Sequence, residues 1–404
     1  MDTTLTVWPR ALLYGSMAIA VFLTFGLLYI LQSGMSKPKS ATLVFSAPLA
    51  LESTRSVLQS VQLALSENEY RAGDISLDLV ILEDGDETGA WIEEKEEQNA
   101  RTAIAIENTV AYIGPLNSGA AKISMPILNK AGIAQISSAA TWPGLTKIGF
   151  QPGEPGIFYP TGIRHFVRTC TTDDLQGPAG ARWARELGFT SVFVVDDGES
   201  YGIGIARLFQ AAAIEQDIHV AGRMSISSQS DFEDAARTIA ASDADLVYYG
   251  GITPNGGPEL LRRLREHNPD ITFMGPDGIF EQDFLNLAGD AAEGVYLTAV
   301  GISPTEIKTE AAEAYLAAYR ENYHEDPEVF GALAYDATKL LLAAIERAGV
   351  VNRSDILREI RATRNFEGVM GTMSFDANGD TTAKIISGSR VEGDSFVFVK
   401  DLSE

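Results

Sequence analysis

The sequence predicts an α/β protein built as two lobes, each a largely parallel sheet covered by helices on both faces. Three observations carry this. Short apolar runs alternate with amphipathic helical patterns over short connections. The same rhythm stops at a Gly/Pro-rich stretch, "GFQPGEPGIFYPTGIRH", and restarts beyond Arg168. A chain of 404 residues is also long enough to bury two sizeable cores.

The first series opens with a strand, "ATLVFS" (Ala41–Ser46), and a helix near Ser53–Ser66. It continues through "ISLDLVIL", a charged helix around Gly89–Glu107, "VAYIG", a helix at Ser118–Ala131 and "GIAQIS". The second series runs from a helix near Gln176–Leu187 through "TSVFVV", a helix from about Gly202 and "IHVAGRMSI". Then come a helix across Asp231–Ala241, "DLVYYGG", a helix over Pro258–His267 and "ITFMG". A strand at Gly294–Thr298, helices at about Thr305–Asn322 and Val329–Ala348, and β-rich material from Val369 to Val399 follow. Open parallel sheets bind ligands beyond the carboxyl ends of their strands. The small polar stretches "GPLNSG", "SSAATWPG", "DDGESYG", "GGITPNGG" and "GPDG" all fall at such places, so loops of both lobes are expected to face one cleft.

Composition narrows the chemistry. Lys and Arg number 31 against 55 Asp and Glu, a net charge of −24. Such a surface repels phosphate backbones, and no basic patch with interleaved aromatics interrupts it, which argues against a nucleic-acid partner. Cys170 is the single cysteine, which excludes an internal disulfide and a Cys-based zinc site. His165, His219, His267 and His324 lack metal-ligand spacing, so neither a metal nor a cofactor is expected.

The N-terminus carries an uncharged run from Ala11 to Leu31, "ALLYGSMAIAVFLTFGLLYIL", long enough to cross a bilayer as a helix. Arg10 precedes it, and Lys37 and Lys39 follow. Two readings stand: an uncleaved membrane anchor through residues 11–31, or an export signal removed near "QSGMSKPKS". Both place the bulk of the chain outside the cytoplasm.

"SVFVVDDGESYGIGIA" holds two motifs that suggest enzymes. Gly198-Glu199-Ser200-Tyr201-Gly202 has nucleophile-elbow spacing, but Asp196, Asp197 and Glu199 crowd the place where negative charge would develop. Gly202-Ile203-Gly204 begins a dinucleotide fingerprint, yet Arg207 stands where a small residue is required. Neither reading survives. Ser118 fits a helix cap or a carboxylate site at a helix N-terminus. Thr141 offers a second hydroxyl, and Asp277 in "MGPDG" fits a Pro-Asp-Gly turn or a carboxylate facing a cationic ligand group.

Together the motifs "YIGPLNS…GIAQISSAAT", "RTCTTDDLQGPAGARWA", "DDGESYGIGIA", "DADLVYYGGITPNGGPELLRRLR", "FMGPDG…AGDAAEGVYLT", "AYDATKLLLAAIERAG" and "FEGVMGTMSFDANGD" resemble the leucine/isoleucine/valine-binding proteins, the type I periplasmic solute-binding receptors of ABC importers. The resemblance covers nearly everything after the N-terminal linker. It implies two Rossmann-like lobes joined by a three-segment hinge that closes over the ligand. Residues 41–170 with 301–381 would form the first lobe, and 171–300 with 382–404 the second, after an anchor or signal and linker in 1–40. Carried over by position, Ser118, Ala139 and Thr141 would hold an α-carboxylate, Asp277 the α-ammonium, and Tyr201 would close from the second lobe. Ile252 stands where the family carries an aromatic residue, and Asn117 where it carries a disulfide cysteine. In "SAPLALESTRS" an expected tyrosine is replaced by Ser53 or Glu52, and Trp142 is the candidate to refill apolar volume. The stretch from Gly149 to Gly162 is a longer insertion. The implied function is a non-enzymatic, extracytoplasmic receptor that delivers an amino acid to permease subunits. The alternative is a membrane-linked sensor of an amino acid, amide or short carboxylic acid with the same fold.

Overall fold

The computed structural model of the protein describes residues 39–227 and 232–403. The apolar run 11–31 lies outside them. Among the described residues no helix is long and apolar enough to cross a membrane.

The first sheet begins with β1 (Ser40–Ala47), followed by α1 (Glu52–Ser66), a short β2 (Arg71–Ala72) and β3 (Ile75–Glu83). Next come α2 (Glu93–Ala105), β4 (Thr109–Ile113), α3 (Ser118–Ala131), β5 (Ala134–Ser137) and β6 (Phe166–Arg168). The order is β2-β3-β1-β4-β5-β6, parallel except for the β2 edge. Strand periodicity divides the core: Leu43 and Phe45 face one side, and Val44 faces the other with Ala100, Tyr112 and Leu128.

The chain then passes to the second sheet through α4 (Asp173–Glu186), β7 (Ser191–Asp196), α5 (Ser200–Glu215) and β8 (His219–Ser225). It continues through α6 (Phe232–Ala240), β9 (Leu246–Gly250), α7 (Gly257–His267), β10 (Thr272–Gly275), α8 (Gln282–Ala288) and β11 (Tyr296–Ala299). Here Val192 and Val194 pack on α4 and α5, while Phe193 and Val195 pack on α6, α7 and α8. Both sheets are therefore covered on both faces.

From β11 the chain returns to the first lobe as α9 (Glu310–Tyr323), α10 (Val329–Ala348) and α11 (Arg353–Arg361). Ala337, Leu341, Ile345 and Ile360 join the Leu43–Phe45 face. After a hairpin of β12 (Phe366–Gly368) and β13 (Gly371–Met373), a last passage adds β14 (Ser387–Glu392) antiparallel to β11 and β15 (Ser395–Asp401) antiparallel to β14. The second sheet reads β15-β14-β11-β10-β9-β7-β8. The chain thus crosses between the two sheets three times, as expected.

Element boundaries differ from expectation where polar residues open a helix. α4 begins at Asp173 rather than near Gln176, because Asp173 and Asp174 occupy its first turn. No sequence pattern predicts α11: it is short and mostly polar, but Asn352 Oδ1 accepts from the N–H groups of Ser354 and Asp355 and caps it.

Candidate ligand-binding cleft

The loops leaving β1, β4 and β5 face those leaving β7, β9 and β10, all at strand carboxyl ends. Between them lies a cavity of about 80 Å³. A single water needs roughly 10–15 Å³, so the space suits a solute of several heavy atoms. From the first lobe Pro48, Leu51, Ser53, Thr54, Leu116, Asn117, Ser118 and Ala139 line it, with Phe330 of α10. The second lobe supplies Tyr201, Ile252, Asp277, Gly278 and Glu281. The structure therefore brings Ser118, Ala139, Tyr201, Ile252 and Asp277 together.

Ser118 opens α3, a helix of 14 residues, and its Oγ accepts from the Trp142 N–H at 3.1 Å. That bond ties the β5 loop to the start of the helix, whose first-turn N–H groups and dipole favour negative charge. Ala139 sits on the same loop, which turns tightly because Ser137 Oγ accepts from the N–H of Ala140 at 3.0 Å. Beneath it Arg168 is wholly buried. Its Nη1 donates to the carbonyls of Ala140 and Trp142, both at 2.8 Å, and its Nε reaches Asp380 Oδ1 at 2.8 Å. Burial pushes the Asp380 carboxyl up, but the guanidinium overrides it and holds the group below the usual range.

Across the cavity, the Tyr201 hydroxyl donates to Asp277 Oδ1 at 2.9 Å and accepts from the Gly278 N–H at 3.2 Å. A side chain at Gly278 would put its Cβ 2.4 Å from the Gly251 carbonyl, so only glycine lets these loops meet. Burial raises the Asp277 carboxyl to about 6, with donation from Gln176 and Tyr201 opposing. Burial and the Asp277 charge push the Tyr201 hydroxyl well up, keeping it a donor. Ile252 is positioned by Asp197, whose Oδ2 accepts from the Ile252 N–H at 3.1 Å. Asp197 thus shapes the loop, and Ser200 stands at the first turn of α5, separated from the strand by 197–199.

Thr141 and Trp142 do not line the cavity. Thr141 is fully buried, and its Oγ1 lacks a hydrogen-bond partner among the described residues, as do both carboxylate oxygens of Asp173. Burial and the charge of Asp277 push the Asp173 carboxyl well up, while neighbouring Thr141 and Arg168 oppose the shift. Trp142 does not fill the pocket: its Nε1 donates to Glu154 Oε2 at 2.9 Å within the Gly/Pro-rich insertion. Lys122 pairs with the other oxygen of Glu154 at 3.0 Å. The indole presses on α5, where a Cβ at Gly204 would lie 2.3 Å from the ring. Trp142 is a contact between lobes beside the cavity.

On the opposite side Ser53 Oγ donates to Glu281 Oε2 at 2.5 Å, and the Glu52 N–H donates to Asp283 Oδ2 at 2.6 Å. The lobes therefore meet on both sides of the cavity. Sequence reasoning missed Glu281, Phe330, Leu116 and Asp173. In "GPDGIFEQDF" Glu281 reads as an acid at a helix start, and only the approach of Ser53, 228 positions away, turns it toward a cavity. Among the described residues no group of His, Cys, Asp and Glu is arranged to hold a metal ion.

Two open sheets enclosing a small mixed polar and apolar cavity at their facing carboxyl ends define a two-lobed solute-binding protein. The chain belongs to the periplasmic binding protein family, whose model matches residues 43–391. It is 27% identical over 334 residues to a Leu/Ile/Val-binding protein of Rhizobium johnstonii, covering 82% of this chain and 85% of that one. It is 28% identical over 289 residues to the Leu/Ile/Val-binding protein of Escherichia coli, covering 69% of this chain and 73% of the relative. A crystal structure of a leucine-binding protein from Thermotoga maritima superposes with a TM-score of 0.79 at 27% identity, covering 90% of this chain and 99% of that one.

Proposed function

We propose that this chain is the extracytoplasmic receptor of an ABC importer, closing its two lobes around an α-amino acid. The observation that carries the reading is the opposition of charge preferences across the cavity. Ser118 at the start of α3 and Ala139 on the loop after β5 stand on one wall, and Asp277 with Tyr201 on the other. A zwitterion satisfies both walls at once: its carboxylate meets the positive end of the helix, and its ammonium meets the carboxylate. The named preferences of the relatives for leucine, isoleucine and valine support an amino-acid ligand.

In this reading the three passages between sheets, near 170, 300 and 382, form the hinge. They divide the chain into 41–170 with 301–381 and 171–300 with 382–404. Ser200 performs no chemistry, and the receptor passes its ligand to permease subunits. The apolar run 11–31 either holds it at the membrane or directs its export. An alkaline wash of membranes distinguishes these, because an anchored chain stays with the pellet.

A thermal-shift screen of the full-length protein against amino acids and their deaminated analogues tests the reading. A ligand at a hundred times its Kd stabilises by about 2.7 kcal/mol. Stabilisation by an amino acid supports the receptor; a response confined to analogues without an ammonium sinks the amino-acid assignment.

A further inference from the structure

The amino-acid reading leaves one end of the cavity unexplained. Asp277, Ser118 and Ala139 suit the backbone groups of the ligand. At the α1 end, the wall carries Glu281 and Ser53 beside apolar Leu51, Leu116 and Phe330. A pocket for a purely aliphatic side chain has no use for a carboxylate there. Glu281 is only 8% exposed, and Ser53 hydrogen-bonds one of its oxygens, Oε2. None of the lining residues is a lysine, arginine or histidine, so no base in the wall offsets a second acid. Asn117 also lines the cavity, and its Oδ1 is buried without a hydrogen-bond partner among the described residues. Glu281 thus presents an acceptor to a side chain entering at this end.

We propose that Glu281 sets side-chain specificity, selecting an α-amino acid whose short aliphatic side chain ends in an N–H donor, an amide or an amine. The proposal rests on the amino-acid reading above and narrows its ligand class. The stem of such a side chain lies along Leu51, Leu116 and Phe330, and its terminal N–H donates to the Glu281 carboxylate. An alkyl side chain would strip water from Glu281 without replacing its hydrogen bond, which is costly for a charged acceptor. Sites built around a buried polar group therefore reject analogues that lack the matching group far more strongly than apolar pockets reject a missing methylene. Burial raises the Glu281 carboxyl to about 7, with donation from Ser53 opposing, so above neutral pH it is an ionised acceptor.

The test is calorimetry on the full-length protein at pH 8 with two shape-matched ligand pairs: asparagine against leucine, and ornithine against norleucine. The donor-bearing member of at least one pair should bind about tenfold or more tighter than its apolar match. The pair that shows the preference tells amide from amine. Glu281→Gln should shrink that preference at least several-fold while leaving leucine or norleucine unchanged or tighter. Because the unmodified protein already ranks the pairs, the result does not depend on how the variant folds. If leucine and norleucine bind as tightly as their partners, Glu281 is only a contact between lobes; the proposal falls and the amino-acid receptor stands. If none of the four binds while another amino acid stabilises the protein in the screen, the proposal falls and the receptor stands.

Discussion

Arg168 and Asp380, 212 positions apart in sequence, form a buried ion pair at 2.8 Å where the last passage between the sheets begins. The same guanidinium holds the Ala140 and Trp142 carbonyls, so one side chain links the crossover to the loop that carries Ala139. Removing one member of such a pair leaves an uncompensated buried charge, at a cost of about 3–5 kcal/mol. Arg168→Met should therefore lower the urea midpoint sharply, and adding Asp380→Asn should recover part of the loss. Equal midpoints for Arg168→Met and the parent would show that the pair contributes nothing net.

Ligand affinity should fall in acid. The Asp277 carboxyl sits at about 6 in the cavity, and a proton there competes with the ligand ammonium. Well below 6 the proton on Asp277 should lower affinity by about tenfold per pH unit, the limit for one competing proton. Titration calorimetry from pH 5 to 8 reads this directly; a flat profile would mean that Asp277 does not pair with a charged group.

A second buried acid acts on stability instead. Glu96 lies behind β1 and β4, where Ser46 and Tyr112 donate to its Oε2 at 2.7 and 3.0 Å, beside the buried Asp84. Burial raises its carboxyl from 4.5 to about 7, with these donors opposing. The folded state keeps a proton that the unfolded chain has lost, so this contribution is complete below pH 4.5 and disappears as pH rises through 7. The urea midpoint should decline between pH 5 and 8, and Glu96→Gln should flatten that decline.

The serine of the elbow-like motif and its neighbour should behave differently. Ser200→Ala should leave ligand affinity within about twofold, since this half-buried first-turn serine does not line the cavity. Tyr201→Phe removes the donor to Asp277 and should weaken binding by about 1.5–3 kcal/mol, the range for hydrogen bonds to charged groups. Labelling of Ser200 by a serine-directed phosphonate would overturn its assignment as a bystander.

The alternation of runs such as "TSVFVV" and "DLVYYGG" with amphipathic stretches made both sheets legible, because strands buried on two faces read as continuous apolar segments. Cavity residues were legible where a loop follows a strand directly, as with Ser118, Tyr201, Ile252 and Asp277. What sequence could not supply was contact between lobes. Trp142 looks like a pocket residue until Gly204 and Glu154 are seen against its ring and nitrogen. Glu281 looks like a helix-start acid until Ser53 approaches it from the other lobe. Both depend on how segments far apart in the chain face each other, which no local pattern encodes.

An ammonium held by Asp277 is probed by the single substitution Asp277→Asn. Asparagine suits the same Pro-Asp-Gly turn, so the fold should be unaffected. Calorimetry with the best amino acid from the screen should show affinity lowered by roughly a hundredfold or more, from the about 3–5 kcal/mol cost of an unpaired buried charge. The deaminated analogue of the same ligand should bind both proteins alike. If Asp277→Asn binds the amino acid as tightly as the parent does, no ammonium is held there.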